Sequence, residues 1–313
     1  MTEGTATIGW IGCGRMGTAM ARRLVTSGND VRVTNRTRAK AEVLGDEGAT
    51  VVDSPRDLAD CDVVFIMVSA DADLLQVVTG PDGVLSAGGV APRVIVDCST
   101  VSVETSATVR ESAAKRGVAF LAAPVSGNPK VVKAGQLTLA VSGPQESFVD
   151  VQPLLEQLGQ GVTYVGTGEV ARLVKICHNM FLGIVTQAMA EITVLAERGG
   201  IKRSAFLEFL NNSVMGSTFT KYKTPAFVNL DFSPTFTPPL LRKDFDLGMA
   251  AAKQMSVSMP VAALCTELVV SAIGAGYREE DFAVLFLEQA RSAGLTMEPE
   301  NIELDDGLGG VVP

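Results

Sequence analysis

Thr7-Ile8-Gly9-Trp10-Ile11-Gly12-Cys13-Gly14-Arg15-Met16-Gly17 is a short apolar run that breaks into three glycines at GxGxxG spacing. Met16, Ala19, Met20 and Leu24 then fall on one helical face, and Gly28-Asn29-Asp30 stops that helix ahead of a second β-branched run at 30–34. Glycine-rich turns are common, but strand, glycines, helix and second strand in this order is the setting in which the motif binds a dinucleotide. Gly12 permits the tight turn, Gly14 lets backbone approach a pyrophosphate, and Gly17 lets helix pack on strand, with the diphosphate on the helix N-terminus. Cys13, Arg15 and Met16 complete the turn and count with the glycines as cofactor-site residues.

The end of the second strand refines the cofactor. An NAD site places a carboxylate there for the ribose hydroxyls, whereas this chain reads Asn35-Arg36-Thr37-Arg38. Arg36 can hold a 2′-phosphate bidentately, and Asn35 and Thr37 can add hydrogen bonds, so NADP(H) is favoured over NAD(H). The other reading leaves Arg36 and Arg38 as solvated loop charges.

Working outward, β-branched runs at 63–68, 94–97, 118–121, 137–141 and 162–165 alternate with amphipathic stretches, the pattern of βαβ units on a parallel sheet. From about Gly168 strands give way to helical periods, beginning with one helix over 169–198. The sequence therefore predicts an α/β chain: a doubly wound Rossmann domain over 1–167, a long interdomain helix opening an all-helical domain over 168–296, and a flexible acidic tail over 297–313.

Composition narrows the partners. With 47% apolar and 19% charged residues the 313-residue chain can bury a core, and a net charge of −9 argues against binding nucleic acid or anionic lipid. The longest uncharged stretch, 176–190, falls short of the roughly 20 residues of a bilayer span, and Met1–Ile11 lacks a basic leader. Five scattered cysteines without a CxxC pair, and one histidine, predict a reducing cytoplasm, small buried thiols and no metal site.

The candidates for chemistry cluster late in this half and just beyond it. Lys175 opens the uncharged stretch, and Asn179 lies one helical turn on, with His178 beside it. Further blocks are Asp97-Cys98-Ser99-Thr100 after one strand, Ala123-Pro124-Val125-Ser126-Gly127-Asn128 after the next, Gly166-Thr167-Gly168 leading to Lys175, and Lys243-Asp244 in the helical half. Read singly, Ser126-Gly127 is a turn, Ser99-Thr100 a helix start and Lys243-Asp244 a solvated ion pair.

With the glycine turn as Ile11 to Ala21, these five ordered blocks resemble the β-hydroxyacid dehydrogenases, the family of 3-hydroxyisobutyrate dehydrogenase and the glyoxylate and succinic semialdehyde reductases. The resemblance spans nearly the whole chain. It implies Lys175 as the catalytic lysine and Asn179 as the amide holding substrate beside it. Ser126 and Gly127 would receive the substrate carboxylate, Ser99, Thr100 and Lys243 would lie at the nicotinamide, and Met67 and Val68 would run along the adenosine half. Hydride transfer belongs to the nicotinamide; the protein must orient a carbonyl and protonate its oxygen. Lysine, ordinarily near a pKa of about 10.4, does this well when its surroundings bring it toward about 7 to 8.

Departures from the family bear on the substrate. Asn128-Pro129 replaces a second glycine, adding an amide and stiffening the loop. His178-Asn179 replaces Asn-Asn, as in 6-phosphogluconate dehydrogenases, where the histidine contacts substrate; His178 is either such a contact or a packed side chain. The expectation is an NADP(H)-dependent reductase of small aldehyde or keto acids, self-associating as a homodimer or homotetramer through its helical domain. The alternatives are a decarboxylating dehydrogenase of a phosphorylated sugar acid, needing cations near Lys130, Lys133 or Arg242, and an NADP-binding module without turnover.

Overall fold

Strands that must be apolar on both faces form one nine-stranded sheet in the computed structural model, which describes residues 6–309 and 311–312. The expectations touching Met1 to Thr5, Gly310 and Pro313 lie outside the described residues. The chain divides into two compact units between Lys175 and Ile176.

The first unit contains β1 (Ile8–Ile11), β2 (Val31–Thr34), β3 (Thr50–Val51), β4 (Val63–Ile66), β5 (Val94–Asp97), β6 (Ala119–Ala122), β7 (Val125–Ser126), β8 (Thr138–Ser142) and β9 (Gly161–Gly166). Their order is β3-β2-β1-β4-β5-β6-β8-β7, with β9 beside β8. The strands from β1 to β6 are parallel, whereas β8 runs antiparallel to β6 and β7. Around the sheet lie α1 (Arg15–Thr26), α2 (Arg38–Gly45), α3 (Asp71–Thr79), α4 (Val103–Ala114), α5 (Pro129–Lys133) and α6 (Gln145–Leu158).

Alternation along the strands serves two cores. Ile8, Trp10 and Phe65 pack with Met20 and Leu24 of α1 and Leu155 of α6, while Ile11, Val64 and Ile66 pack with Leu74 of α3 and Val109 of α4. Because β2 lies on one side of β1 and β4 on the other, the strand order reverses at β1, and the carboxyl ends of β1 and β4 flank the switch point where such sheets bind ligands.

The helix α7 (Val170–Arg198) begins in the first unit and continues in the second, followed by α8 (Arg203–Asn212), α9 (Thr218–Val228), α10 (Pro238–Gln254), α11 (Pro260–Gly274) and α12 (Leu285–Ser292). By length and composition α7 is long and apolar enough to cross a membrane. Its apolar positions Met189, Ala190 and Val194 are nevertheless packed with Leu207, Phe227 and Phe286, and Met180 with Leu241 and Phe245. Thr186 and Gln187 are buried on the same helix.

The units part after Lys175 rather than after residue 167, because the first turns of α7 are hydrogen-bonded into the sheet unit through Arg172. The buried Arg203 guanidinium donates to the carbonyls of Phe227 and Val228 at the end of α9 and of Glu298, and the Glu300 carboxylate accepts from the Arg203 amide at 2.8 Å, which ties 298–300 to α8 and α9. Of the cysteines, Cys13, Cys61, Cys98 and Cys265 are buried as expected, but Cys177 is exposed, since it occupies the outward phase of α7 next to buried Ile176.

Candidate functional site

Parallel strands deliver their following loops to one edge of the sheet. Residues 12–17 follow β1, 35–37 follow β2, 67–68 follow β4, 98–100 follow β5 and 123–128 follow β6, so the sequence-predicted residues of the first unit share that edge.

At the glycine turn, Gly12 sits at φ +100°, and a Cβ there would stand 2.1 Å from the Met67 carbonyl oxygen. A Cβ on Gly17 would stand 1.9 Å from the Gly12 carbonyl oxygen, the same oxygen that accepts from the Trp10 indole at 3.0 Å. Gly14, in contrast, has nothing within 4 Å of its Cβ position, and no side chain caps the N-terminus of α1. Bare helix amides, an open surface above Gly14 and no acidic residue in the first turn make a cradle that fits a dinucleotide pyrophosphate. A groove of about 730 Å³ continues from Gly14 along α1, with Arg15, Arg22, Arg23, Lys40 and Lys133 on its walls, which favours approach of an anion to an otherwise acidic chain.

Gly17→Ala should lower stability by about 1–3 kcal/mol, because the obstacle is backbone that cannot turn aside. It should also abolish the change that a bound dinucleotide makes in the fluorescence of Trp10, the sole tryptophan. Denaturant melts and a fluorescence titration read the two effects; wild-type behaviour in both would show that the turn opens freely.

Several predicted contacts turn out to brace the loops. The Asn35 carbonyl oxygen accepts from the Cys13 amide at 2.9 Å and its amide donates to the Thr37 carbonyl at 2.9 Å, so this side chain ties the glycine turn to the loop after β2. Ser99 is fully buried; its hydroxyl accepts from the Val68 amide at 2.9 Å and its own amide donates to Asp97 at 3.0 Å. Asn128 caps α5, accepting from Lys130 at 2.9 Å and Val131 at 3.1 Å, which leaves only its amide hydrogens for a ligand. Burial pushes the Cys13 thiol up to about 11 and the Cys98 thiol well above its usual range, so both are neutral.

The exposed members remain able to reach a ligand. Arg36 is 88% exposed, held by Asp73 at 3.2 Å, and the Thr37 hydroxyl is at the surface. Arg15, Met16, Met67, Val68 and Thr100 line the edge at the surface or partly buried. Gly127, at φ +142°, is exposed beside half-buried Ser126 on the short β7.

Arg172 is the group the sequence reading missed here. Only 2% exposed, it donates to the Asp97 carboxylate at 2.5 Å, to the Ser99 carbonyl at 2.5 Å and to the Ser106 hydroxyl at 3.2 Å. This fixes the first turns of α7, and with them half-buried Lys175, to the mouth of β5.

In the second unit, buried Asn179 donates to the Asp244 carboxylate at 2.5 Å, and its carbonyl oxygen lies 3.0 Å from Nδ1 of His178. Asp244 thereby fixes which way the amide faces, with its oxygen toward the imidazole. Asp244 is not the partner of a solvated pair with Lys243, which is exposed and has no ion-pair partner among the described residues. Arg242 is held by Asp246 at 2.7 Å. Among the described residues no group of three or more His, Cys, Asp or Glu side chains could hold a metal.

Comparison with known proteins follows the same lines. The family model described as the NAD binding domain of 6-phosphogluconate dehydrogenase matches residues 7–166, and the one described as the NAD-binding of NADP-dependent 3-hydroxyisobutyrate dehydrogenase matches residues 166–287. Glyoxylate/succinic semialdehyde reductase 2 of Arabidopsis thaliana, described as chloroplastic, is 30% identical over 92% of this chain and 81% of its own. An NAD-dependent L-serine dehydrogenase of Pseudomonas aeruginosa is 30% identical over 89% of this chain and 96% of its own. A crystal structure of 3-hydroxyisobutyrate dehydrogenase from Salmonella typhimurium is similar with a TM-score of 0.78 at 26% identity, over 90% of this chain and 99% of that one.

Proposed function

The chain belongs to the 3-hydroxyisobutyrate dehydrogenase family of β-hydroxyacid dehydrogenases, and from that membership we propose that it reduces the carbonyl of a small aldehyde or keto acid, reversibly, with Lys175 moving the proton. The observation that carries this reading is the convergence of the loops after β1, β2, β4, β5 and β6 on one edge, to which the start of α7 is bonded. A bound dihydronicotinamide supplies the hydride. In reduction the Lys175 ammonium gives a proton to the carbonyl oxygen and is left as the amine; in oxidation the amine takes it back. Ser126 and Gly127 receive the substrate carboxylate, Thr100 and Lys243 serve the nicotinamide end, and Asn179 with His178, one turn beyond Lys175, hold the substrate.

NADPH is the preferred cofactor in this proposal. The pair of Arg36 with Asp73 is a surface ion pair contributing roughly 0–1 kcal/mol, which a 2′-phosphate displaces readily. The loop after β2 offers no carboxylate to repel that phosphate. The NAD-dependent relative shows that the family accommodates either choice. The same proposal places the protein in the cytoplasm, in keeping with its free cysteines, and has a second copy cover exposed Leu195, Phe209 and Leu264 of the helical unit.

The deciding experiment follows oxidation of NADPH and NADH with glyoxylate, succinic semialdehyde, methylmalonate semialdehyde and tartronate semialdehyde. At least one acid should be turned over with NADPH preferred, and Arg36→Ala should raise the KM for NADPH about 10- to 100-fold, the worth of a charge-assisted contact, while leaving NADH unchanged. Binding of NADPH without turnover of any of the four would favour a module that only binds. An unchanged KM for NADPH would return Arg36 to the solvent.

A further inference from the structure

We infer that Arg172 is a positioning residue for the reaction: it sets where Lys175 stands relative to the loop after β5 by holding one end of α7 on Asp97 and on the Ser99 carbonyl. The inference rests on the proposed role of Lys175.

The geometry is specific. Arg172 lies three residues before Lys175, so the two share a face of α7 about one turn apart. Its guanidinium uses three separate edges. One nitrogen donates to Asp97 at 2.5 Å, a second to the Ser99 carbonyl at 2.5 Å, and Nε reaches the Ser106 hydroxyl of α4 at 3.2 Å. Asp97 is fully buried, and its other carboxylate oxygen accepts from the Ser99 amide, while Ser99 in turn holds the Val68 amide. The loops after β4 and β5 and the lysine-bearing helix are thus registered on one buried ion pair.

Nearby Glu169 adds a second tie. Its carboxylate meets Arg110 at 2.6 Å, leaving Oε2 buried with no hydrogen-bond partner and 3.9 Å from Arg172. Packing alone does not call for a charge here, because a buried ion pair is a poor source of net stability compared with apolar side chains of the same size. What the fork supplies is direction, fixing the helix in rotation and height at once. A lysine whose nitrogen must meet a carbonyl oxygen within hydrogen-bond reach is sensitive to such fixing, since a displacement of about 1 Å can cost a hundredfold in rate.

The test must separate positioning from folding. Arg172→Met alone strands the Asp97 charge and can unfold the chain, so the informative variant is Arg172→Met combined with Asp97→Asn. There the asparagine oxygen still accepts from the Ser99 amide, and only the tie to α7 is lost. We expect this variant to fold and to bind NADPH, read by Trp10 fluorescence, within about threefold of wild type. Its kcat should fall about 10- to 100-fold with little change in the KM of the acid, and the limb of the kcat–pH profile that reports the proton donor should move. Arg172→Lys, which restores the charge without the fork, should recover part of the loss.

In a Lys175→Ala background the same pair of substitutions should cost less than about twofold more, since the effect runs through the lysine. A folded pair variant with wild-type kcat and pH profile, beside a Lys175→Ala that is slow, overturns the inference and leaves the proposed function standing. A further tenfold loss in the Lys175→Ala background also overturns it, by assigning Arg172 to the cofactor loop instead. Lys175→Ala at wild-type rate overturns the proposed function itself, and is recognised separately because it is measured alone.

Discussion

Lys175→Ala is expected to lower kcat on the best substrate of the panel about 10²- to 10⁴-fold while NADPH still binds and the chain keeps its stability. The magnitude is that of losing a positioned general acid. Hydride addition alone leaves an alkoxide, a far stronger base than any group at the edge of this sheet, so the oxygen must be protonated as the hydride arrives or the step reverses. Alanine leaves that proton to water. Lys175 is half-buried at the second turn of α7 rather than in either core, and its substitution opens no large cavity. A loss of activity with an unchanged melt is therefore a statement about chemistry.

The pH dependence sharpens the prediction. Reduction needs the ammonium and should fade as pH rises through the pKa of Lys175; oxidation of the hydroxy acid needs the amine and should grow through the same pKa. Both limbs should vanish in Lys175→Ala, and an added small primary amine should restore a fraction of the rate in proportion to its concentration. Stopped-flow and steady-state assays with the panel read these effects. A variant that retains wild-type kcat, or keeps both pH limbs, would assign the proton to another group.

Why some of this was legible in the sequence and some was not has a physical explanation. Short apolar, β-branched-rich runs bounded by turn residues are a local signal, so the run at 94–97 was placed to the residue and those at 7–11, 30–34 and 162–165 to within one residue at each end. The two-residue strands β3 and β7 have no room for a period and were not foreseen. The reversal of the sheet at β6–β8 depends on which neighbour a strand finds, which no local pattern records.

The same limit explains the site. The glycine turn is a local motif, and its backbone needs can be read from spacing alone. Asn35, Ser99 and Asn128 were legible as polar groups at strand ends, but whether such a group faces a ligand or braces a loop is decided by a partner elsewhere, Cys13 and Val68 among them. Arg172 carried no signal at all, since its partner Asp97 is 75 residues away and an arginine near the start of a helix is ordinary. Nor does the acidic, glycine-rich composition after Met297 record that the Glu298 carbonyl and the Glu300 carboxylate accept from Arg203, almost a hundred residues earlier.

The helical unit carries the second large effect. Lys223 and Asp281, each 3% exposed, pair at 2.6 Å, and their substitution should be sharply unequal: Asp281→Ala is expected to destabilise by about 3–5 kcal/mol, Lys223→Met by about 1–2 kcal/mol. The asymmetry comes from what each partner leaves behind. Without Lys223, the Asp281 carboxylate still accepts from the Thr235 amide and hydroxyl, the Phe236 amide and the Ala283 amide. Without Asp281, Lys223 keeps the Thr235 hydroxyl at 3.1 Å and the faces of Phe282 at 4.3 Å and Tyr222 at 5.5 Å, with no counter-charge in its place.

Burial already holds the Lys223 amine below the ordinary lysine range, with Asp281 opposing the shift, so removing the carboxylate lowers it further. A lysine pKa depressed in the folded state means the unfolded chain binds the extra proton at pH values between the folded and unfolded pKa. Stability rises with pH through that window. The deficit of Asp281→Ala relative to wild type should accordingly shrink between pH 6 and pH 10, whereas that of Lys223→Met should grow, because the wild-type amine is itself held low and gains stability with pH while the variant has no amine left to titrate. Urea melts of the three proteins across that range measure both curves. Equal losses in the two variants, or a deficit in Asp281→Ala that grows as pH rises, would mean that the lysine is stably charged in the core without its carboxylate.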